Sequence, residues 1–272
     1  MQKLGIIAGQ GQFPCLIAQN ARKQGYKVYG LGFIGQTEKH FLSLTDQFTW
    51  VRLGQLGKTI RFFKKNRVTE LIFAGAINKP KALEIRPDLR ATKLLFRLKS
   101  LNDDAIFKGI IAELNKEGFK VIGPERFVPE LLAPAGALTR RLPSARELQD
   151  FSFGWPILKQ IGALDIGQCI VVKEKMVIAV ESIEGTNATI ERAGKLGGPG
   201  CVVLKGLKPT QDTRVDLPSL GLQTIQTMLK AKASALFFEA ERTIFFDLDQ
   251  SLQLANTHSL SIIGIKDGRY EP

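Results

Sequence analysis

Leu4-Gly5-Ile6-Ile7-Ala8-Gly9-Gln10-Gly11-Gln12-Phe13-Pro14 opens the chain with a short apolar run, a glycine-punctuated turn and the start of a periodic segment. An apolar run this short, stopped by glycine, reads as a buried strand. The periodic stretch from about Pro14 to Gln24, closed by Gly25, reads as a helix. The same grammar repeats outward. Strands are expected at Lys27 to Phe33, Phe48 to Leu53, Leu71 to Ala74 (ending at Gly75) and Phe119 to Gly123. Helices are expected at Gly54 to Asn66, Asp88 to Leu98 and Asp103 to Glu117. Strands alternating with helices imply a parallel sheet covered by helices. Residues 1–125 are therefore expected to form an α/β domain with a doubly wound parallel sheet.

The rhythm breaks between Pro124 and Pro143, which contains four prolines and the pair Arg140-Arg141, so residues 126–145 read as a linker. Beyond it, Ile170 to Lys173 and Met176 to Ser182 flank Glu174-Lys175 as a hairpin would. Helices are expected at about Thr186 to Leu196, Gln223 to Lys232 and Leu248 to His258. Strands are expected at Cys201 to Lys205, Ala235 to Glu239, Thr243 to Phe246 and Leu260 to Ile265. Residues 146–272 thus read as an α+β, mixed-sheet domain.

The 272 residues are 44% hydrophobic and 24% charged, which excludes a disordered or collagen-like chain. Cys15, Cys169 and Cys201 are odd in number and have no metal-type spacing, so buried thiols in a reducing compartment are expected. No run reads as a membrane span or signal peptide, and a cytoplasmic location is expected. The formal net charge of +12 points to an anionic partner.

Gly9-Gln10-Gly11 lies where backbone can approach a phosphate at a helix N-terminus. A dinucleotide fingerprint would need glycine where Pro14 stands and an acid near Phe33-Ile34-Gly35-Gln36. The turn reads either as a nucleotide-type site without NAD or as a tight structural joint. Lys205-Gly-Leu-Lys208-Pro209-Thr-Gln211-Asp212-Thr-Arg214-Val-Asp216-Leu-Pro218 carries the densest charge. Two prolines disfavour helix there. In an extended loop Asp212, Arg214 and Asp216 would project to one side. Asp212 and Asp216 suit Mg²⁺ shared with substrate phosphates, and Lys205, Lys208 and Arg214 suit the phosphates. A solvated charged loop is the alternative. Glu181, Glu184 and Glu191 flank Gly185-Thr186-Asn187. Thr186 or Asn187 could cap the following helix, its N-terminus could receive an anion, or the acids could receive a metal. His40 and His258 are isolated, no nucleophile–histidine arrangement can be drawn, and no nucleic-acid signature is present.

Several motifs together resemble the LpxI-type UDP-2,3-diacylglucosamine pyrophosphatases of lipid A biosynthesis over nearly the whole chain. They are Gly5 to Pro14, Leu53-Gly54-Gln55-Leu56-Gly57-Lys58, Arg86-Pro87-Asp88-Leu89-Arg90 and Asp103-Asp104-Ala105. In the second half they are Leu164-Asp165-Ile166-Gly167-Gln168, Val180 to Thr186 and Lys208 to Pro218. The resemblance implies a Rossmann-like nucleotide-binding domain over residues 1–125, a catalytic and metal-binding domain over residues 146–272, and a Mg²⁺- or Mn²⁺-dependent hydrolase releasing UMP and 2,3-diacylglucosamine 1-phosphate (lipid X). It places the family's essential aspartate on Asp216. Two departures stand out: Asn187 replaces an expected aspartate, and Ala76 replaces a basic residue that Lys79 could supply nearby. The expected site is then Asp216 as catalytic residue, Asp212 and Asp216 toward metal, and Gly9, Gln10, Gly11, Gly75, Lys79, Thr186, Asn187, Lys205, Lys208, Gln211 and Arg214 toward substrate. Peripheral contact with the inner membrane, a homodimer and no nucleic-acid partner complete the expectation.

Two other classes compete. An NAD(P)-linked oxidoreductase would retain a nicotinamide cofactor, against which Pro14 and the missing ribose acid argue. A non-enzymatic RNA- or membrane-binding module would use the positive charge without turnover.

Overall fold

The computed structural model describes residues 1–77, 87–98, 100, 103–209, 211–215 and 217–270. Contacts divide the chain into a first unit, Met1–Pro129 together with Asp212–Asp216, and a second, Glu130–Gln211 with Leu217–Pro272.

The first unit is a five-stranded parallel sheet. Its strands are β1 (Lys3–Ala8), β2 (Lys27–Phe33), β3 (Gln47–Val51), β4 (Glu70–Ala74) and β5 (Lys120–Val121), in the order β3-β2-β1-β4-β5. The intervening helices are α1 (Phe13–Lys23), α2 (Leu56–Lys65), α3 (Leu89–Arg97) and α4 (Asp103–Lys116). Leu56, Ile60 and Phe63 on α2 are buried while Lys58, Lys64 and Lys65 are exposed, so one helix face meets the sheet. Phe63 leaves no room on β1: a Cβ on Gly5 would stand 2.7 Å from its ring and 2.5 Å from Leu71.

A single carboxylate organises the helices on this face. Asp88 Oδ1 accepts the backbone N–H of Arg90 (3.1 Å) and Ala91 (3.0 Å), capping α3, while Oδ2 accepts that of Gly57 (2.6 Å) in the first turn of α2. The N-termini of two helices share one acid, which satisfies three otherwise orphaned donors. Arg90 pairs with Glu113 and Glu117 of α4 and its neighbouring turn, and Lys64 of α2 also reaches Glu117.

The second unit has a six-stranded mixed sheet. Its strands are β6 (Gly136–Ala137), β7 (Cys169–Lys173), β8 (Met176–Val180), β9 (Val202–Lys205), β11 (Ala235–Glu239) and β13 (Ser261–Ile265), in the order β6-β13-β11-β9-β7-β8. Strands β9, β11 and β13 are parallel and the outer strands antiparallel. β10 (Ser219–Leu220) and β12 (Ile244–Phe245) form a separate short parallel pair. Helices α6 (Thr186–Gly197), α7 (Leu222–Lys230) and α8 (Leu248–Thr257) follow the expected places, and α5 (Ala145–Ala163) precedes β7. Strand alternation splits the core. Phe238 packs with Ile225, Met228 and Phe245 on one side, whereas Phe237 packs with Phe151 and Trp155 of α5 on the other.

α5 was not expected, because Gly154, Pro156 and Gly162 interrupt its pattern. It starts at a capping box between Ser144 and Glu147. Gly154 lets it lie against the sheet, where a Cβ would come within 2.5 Å of Leu204 and 2.7 Å of Val172. Buried Asp150 on the same helix accepts the N–H groups of Glu174 (3.1 Å) and Lys175 (2.6 Å). Both turn residues have positive φ (53° and 57°), so the expected hairpin is held by an acid from a helix. All three cysteines are buried and free. Among the described residues no helix is long and apolar enough to cross a membrane. The fold is α/β, a Rossmann-like parallel-sheet unit and a mixed-sheet unit.

Asp88→Ala should lower stability by about 2 kcal/mol, since it orphans donors at two helix starts. Urea unfolding should show a lower midpoint with an unchanged slope. Asp88→Asn, which keeps an acceptor, should recover about half of the loss.

Candidate functional site

In the first unit the strand order reverses between β1 and β4, whose carboxyl ends carry Gly9-Gln10-Gly11 and Gly75-Ala76. Open α/β sheets bind ligands at such a reversal. Here the two loops are tied to each other. Gly9 N–H donates to Ala74 O (2.7 Å) and Gln10 N–H to Ala76 O (2.7 Å). A Cβ on Gly9 would stand 2.3 Å from Ala76 O, and one on Gly75, at φ +84°, 2.4 Å from Gln10 O. The structure therefore brings Gly9, Gln10 and Gly75 together, and the first two spend their N–H groups on the chain itself. Gly11 differs: it has φ +83° with open space where a Cβ would go. α1 begins beside it with no acidic residue in its first turn and no side-chain cap from Gln12. Thr37, which the sequence reading passed over, closes the neighbouring edge. Its hydroxyl donates to Ala8 O (2.5 Å) and accepts Phe33 N–H (2.8 Å). Lys79 lies outside the described residues.

In the second unit Lys205 ends β9 with 4% of its surface exposed. Its ammonium donates to Thr186 Oγ1 (2.8 Å) and to Ser219 O (2.8 Å). The Thr186 hydroxyl passes its own proton toward Glu181 Oε1 (2.8 Å), and Glu181 Oε2 accepts Gln168 N–H (3.3 Å). A buried ammonium and a buried carboxylate are thus joined through one hydroxyl. The third ammonium proton of Lys205 has no acceptor among the described residues. Thr186 and Asn187 stand in the first turn of α6, but neither caps it. The N-cap is Gly185 at φ +82°, because the Thr186 hydroxyl is committed to Glu181 and Lys205.

The segment after Lys205 is pinned by further charges. Leu207 N–H donates to Glu239 Oε2 (2.8 Å), which also receives Lys159 (2.5 Å). Lys208 pairs with Asp165 (2.6 Å), and Gln211 turns back so that its Oε1 accepts Lys208 N–H (3.1 Å). Glu181 stands out in the sequence as an acid beside Thr186 but was not expected to hold Lys205, and Glu239, at the end of an apolar strand, was not expected at all.

Residues 212–215 form a turn, where an extended loop was expected. Val215 N–H donates to Asp212 O (3.1 Å), and Val215 packs on the core of the first unit. Asp212 and Arg214 do meet, as an ion pair: Oδ1 accepts Arg214 N (3.1 Å) and Nε (2.8 Å), and Oδ2 accepts a terminal guanidinium nitrogen (2.6 Å). These bonds from Arg214 hold the Asp212 carboxyl below its ordinary range. Asp216 lies outside the described residues. No cluster of three His, Cys, Asp or Glu side chains occurs among the described residues. With both Asp212 oxygens taken by Arg214, the described side chains do not preform a Mg²⁺ cage.

Gly9→Ala and Gly11→Ala should separate joint from open edge. The first forces carbonyl oxygens apart and should cost more than about 2 kcal/mol of stability. The second pays only for positive φ, about 1 kcal/mol. Equal melting temperatures for the two variants would contradict the packing described.

Two family models match the chain in succession: the LpxI N-terminal domain over residues 3–131 and the LpxI C-terminal domain over residues 134–263. UDP-2,3-diacylglucosamine pyrophosphatase LpxI of Caulobacter vibrioides is 31% identical over 278 residues, covering 97% of this chain and 98% of that protein. Among solved structures, CobK precorrin-6A reductase aligns with 100% of this chain and 90% of its own at 11% identity and a TM-score of 0.35. N5-carboxyaminoimidazole synthetase from Staphylococcus aureus, complexed with ADP, aligns with 73% of this chain at 15% identity and a TM-score of 0.29. The aligned part spans 36% of the synthetase. Likenesses that low carry no argument about this chain. With both domain models matched in order and a full-length relative identical at nearly a third of positions, the chain belongs to the LpxI family.

Proposed function

We propose that this protein hydrolyses the pyrophosphate of UDP-2,3-diacylglucosamine, releasing UMP and 2,3-diacylglucosamine 1-phosphate for lipid A synthesis. The observation that carries the reading is the end-to-end match to the LpxI pyrophosphatase of Caulobacter vibrioides. The second unit's own chemistry supports it. Phosphoanhydride hydrolysis needs cations fixed where negative charge grows, and Lys205 is an ammonium fixed by Thr186 and Ser219 with one proton left to give. Lys208 is held nearby in sequence by Asp165. In this reading Lys205 and Lys208 bind phosphate oxygens, Thr186 and Glu181 orient Lys205, and Asn187, Gln211 and Arg214 complete the polar lining. Gly9, Gln10, Gly11, Gly75 and Lys79 belong to the nucleotide side of the proposal.

Dependence on Mg²⁺ or Mn²⁺ is part of the same proposal and rests on Asp216, with Asp212 available only if Arg214 lets go. A cytoplasmic enzyme working at the inner membrane, as a homodimer, suits a substrate with a water-soluble head and two acyl chains.

The decisive measurement is UMP release from UDP-2,3-diacylglucosamine by purified protein. Asp216→Ala should lower kcat by about 10²–10³-fold while the protein melts near the wild type. Lys205→Met, which keeps most of the volume but not the charge, should lose turnover to a similar degree. EDTA should stop the reaction and added Mg²⁺ or Mn²⁺ restart it; full activity after chelation would remove the metal from the proposal. Failure of the wild type to release UMP would remove the activity itself.

A further inference from the structure

α3 carries two of its large apolar side chains, Leu89 and Phe96, on its outer face. Ala91 is buried and Leu94 packs toward the core of the first unit, beside α2 and α4. On the outer face, Leu89 is 84% and Phe96 86% exposed. They stand seven residues apart, two turns along one stripe, with exposed Lys93 between them and exposed Arg97 alongside. Single exposed hydrophobics are ordinary, but two on one stripe with cations interleaved are a pattern. A shallow cleft of about 310 Å³ runs along the same helix, lined by Leu89, Arg90, Lys93, Leu94, Arg97 and Glu113. Arg90 is neutralised there by Glu113 and Glu117. Lys93 and Arg97 have no ion-pair partner among the described residues.

We propose that the outer face of α3 docks on an anionic lipid bilayer, with Leu89 and Phe96 entering the interface and Lys93 and Arg97 meeting headgroup phosphates. The chemistry selects this occupant over others. A helix lying in the interface needs apolar side chains on its lower face and cations at its flanks, which is the arrangement observed. A second copy of the chain, joined through the same face by a two-fold axis, would bring the cations Lys93 and Arg97 of both copies into one interface without added acids on that stripe. A nucleic acid would use the cations and leave Leu89 and Phe96 in water. The overall charge of +12 favours the same surface at longer range.

The test is flotation of the full chain with vesicles of phosphatidylethanolamine and phosphatidylglycerol, compared with phosphatidylcholine alone, at low and high salt. No substrate is present, so the outcome is independent of the proposed activity. Wild type should float with the anionic vesicles, less at high salt. The double variant Leu89→Ser with Phe96→Ser should bind about tenfold or more weakly. It should keep the wild-type melting temperature, because both side chains are exposed. Lys93→Gln with Arg97→Gln should flatten the salt dependence. Phe96→Trp should shift its emission to the blue on mixing with anionic vesicles. Wild type that stays with the phosphatidylcholine-like background, or a serine variant that binds as wild type does, overturns the proposal. Loss of self-association in the serine variant with vesicle binding unchanged would assign the face to a second copy and overturn it equally.

Discussion

A lysine ammonium that keeps 4% of its surface exposed must be given partners by the fold, because desolvating it unpaired would cost several kcal/mol. Lys205 obtains them from two directions. Thr186 Oγ1 and Ser219 O accept its protons, and Thr186 relays the charge to Glu181, itself 6% exposed. That requirement fixes the end of β8, the first turn of α6, the end of β9 and the start of β10 around one point. It also explains local backbone choices. Gly167 must stay small because a Cβ would stand 2.0 Å from Glu181 O, and Gly185, at φ +82°, turns the chain so that Thr186 faces back. Remove the hydroxyl and the two charges lose their common link, so Thr186 matters more than a first-turn threonine ordinarily does.

The first unit depends on a different economy of polar groups. Asp88 serves two helix starts with one carboxylate, which lets α2 and α3 begin side by side without a cap of their own on α2. At the sheet's carboxyl edge, Gly9 and Gly75 press two loops into backbone contact. The cost of that closeness is borne by residue type: neither position tolerates a Cβ. Gly11 is under a conformational constraint only, since nothing crowds it. A glycine-rich turn therefore contains two physically distinct requirements that look alike in a sequence.

That difference marks where sequence reading runs out. The longer strands were legible because short apolar runs ending in Gly9, Gly75 or a charged residue have few other readings, whereas the two-residue β6, inside the expected linker, and β10 were not. The helices were legible where buried residues recur at helical spacing, as Leu56, Ile60 and Phe63 do. α5 was not, because Gly154 and Pro156 serve contact with the sheet rather than helix propensity. The cations at Lys205, Lys208 and Arg214 stood out as charges. Their partners Glu181, Asp165 and Glu239 were hidden by distance along the chain, and partner choice is a tertiary fact. The turn at residues 212–215 was misjudged for a local reason: alternation assumes extended backbone, whereas Asp212 accepts the N–H of Arg214 and bends the chain.

Pairing is the rule along the charged segment. Lys205 reaches a carboxylate through a hydroxyl, Lys208 meets Asp165, and Arg214 meets Asp212. The side chains of Lys208 and Asp165 are 22% and 24% exposed, and that of Arg214 is 43% exposed, so these two pairs add little stability. What they supply is order, with each cation held in place by an anion. Arg214 keeps Asp212 ionised to below the ordinary carboxylate range, so the pair persists through neutral pH and is lost only as pH falls through that depressed value. Lys205 is the exception, since its carboxylate partner is held through Thr186. It is also the most buried of the three cations.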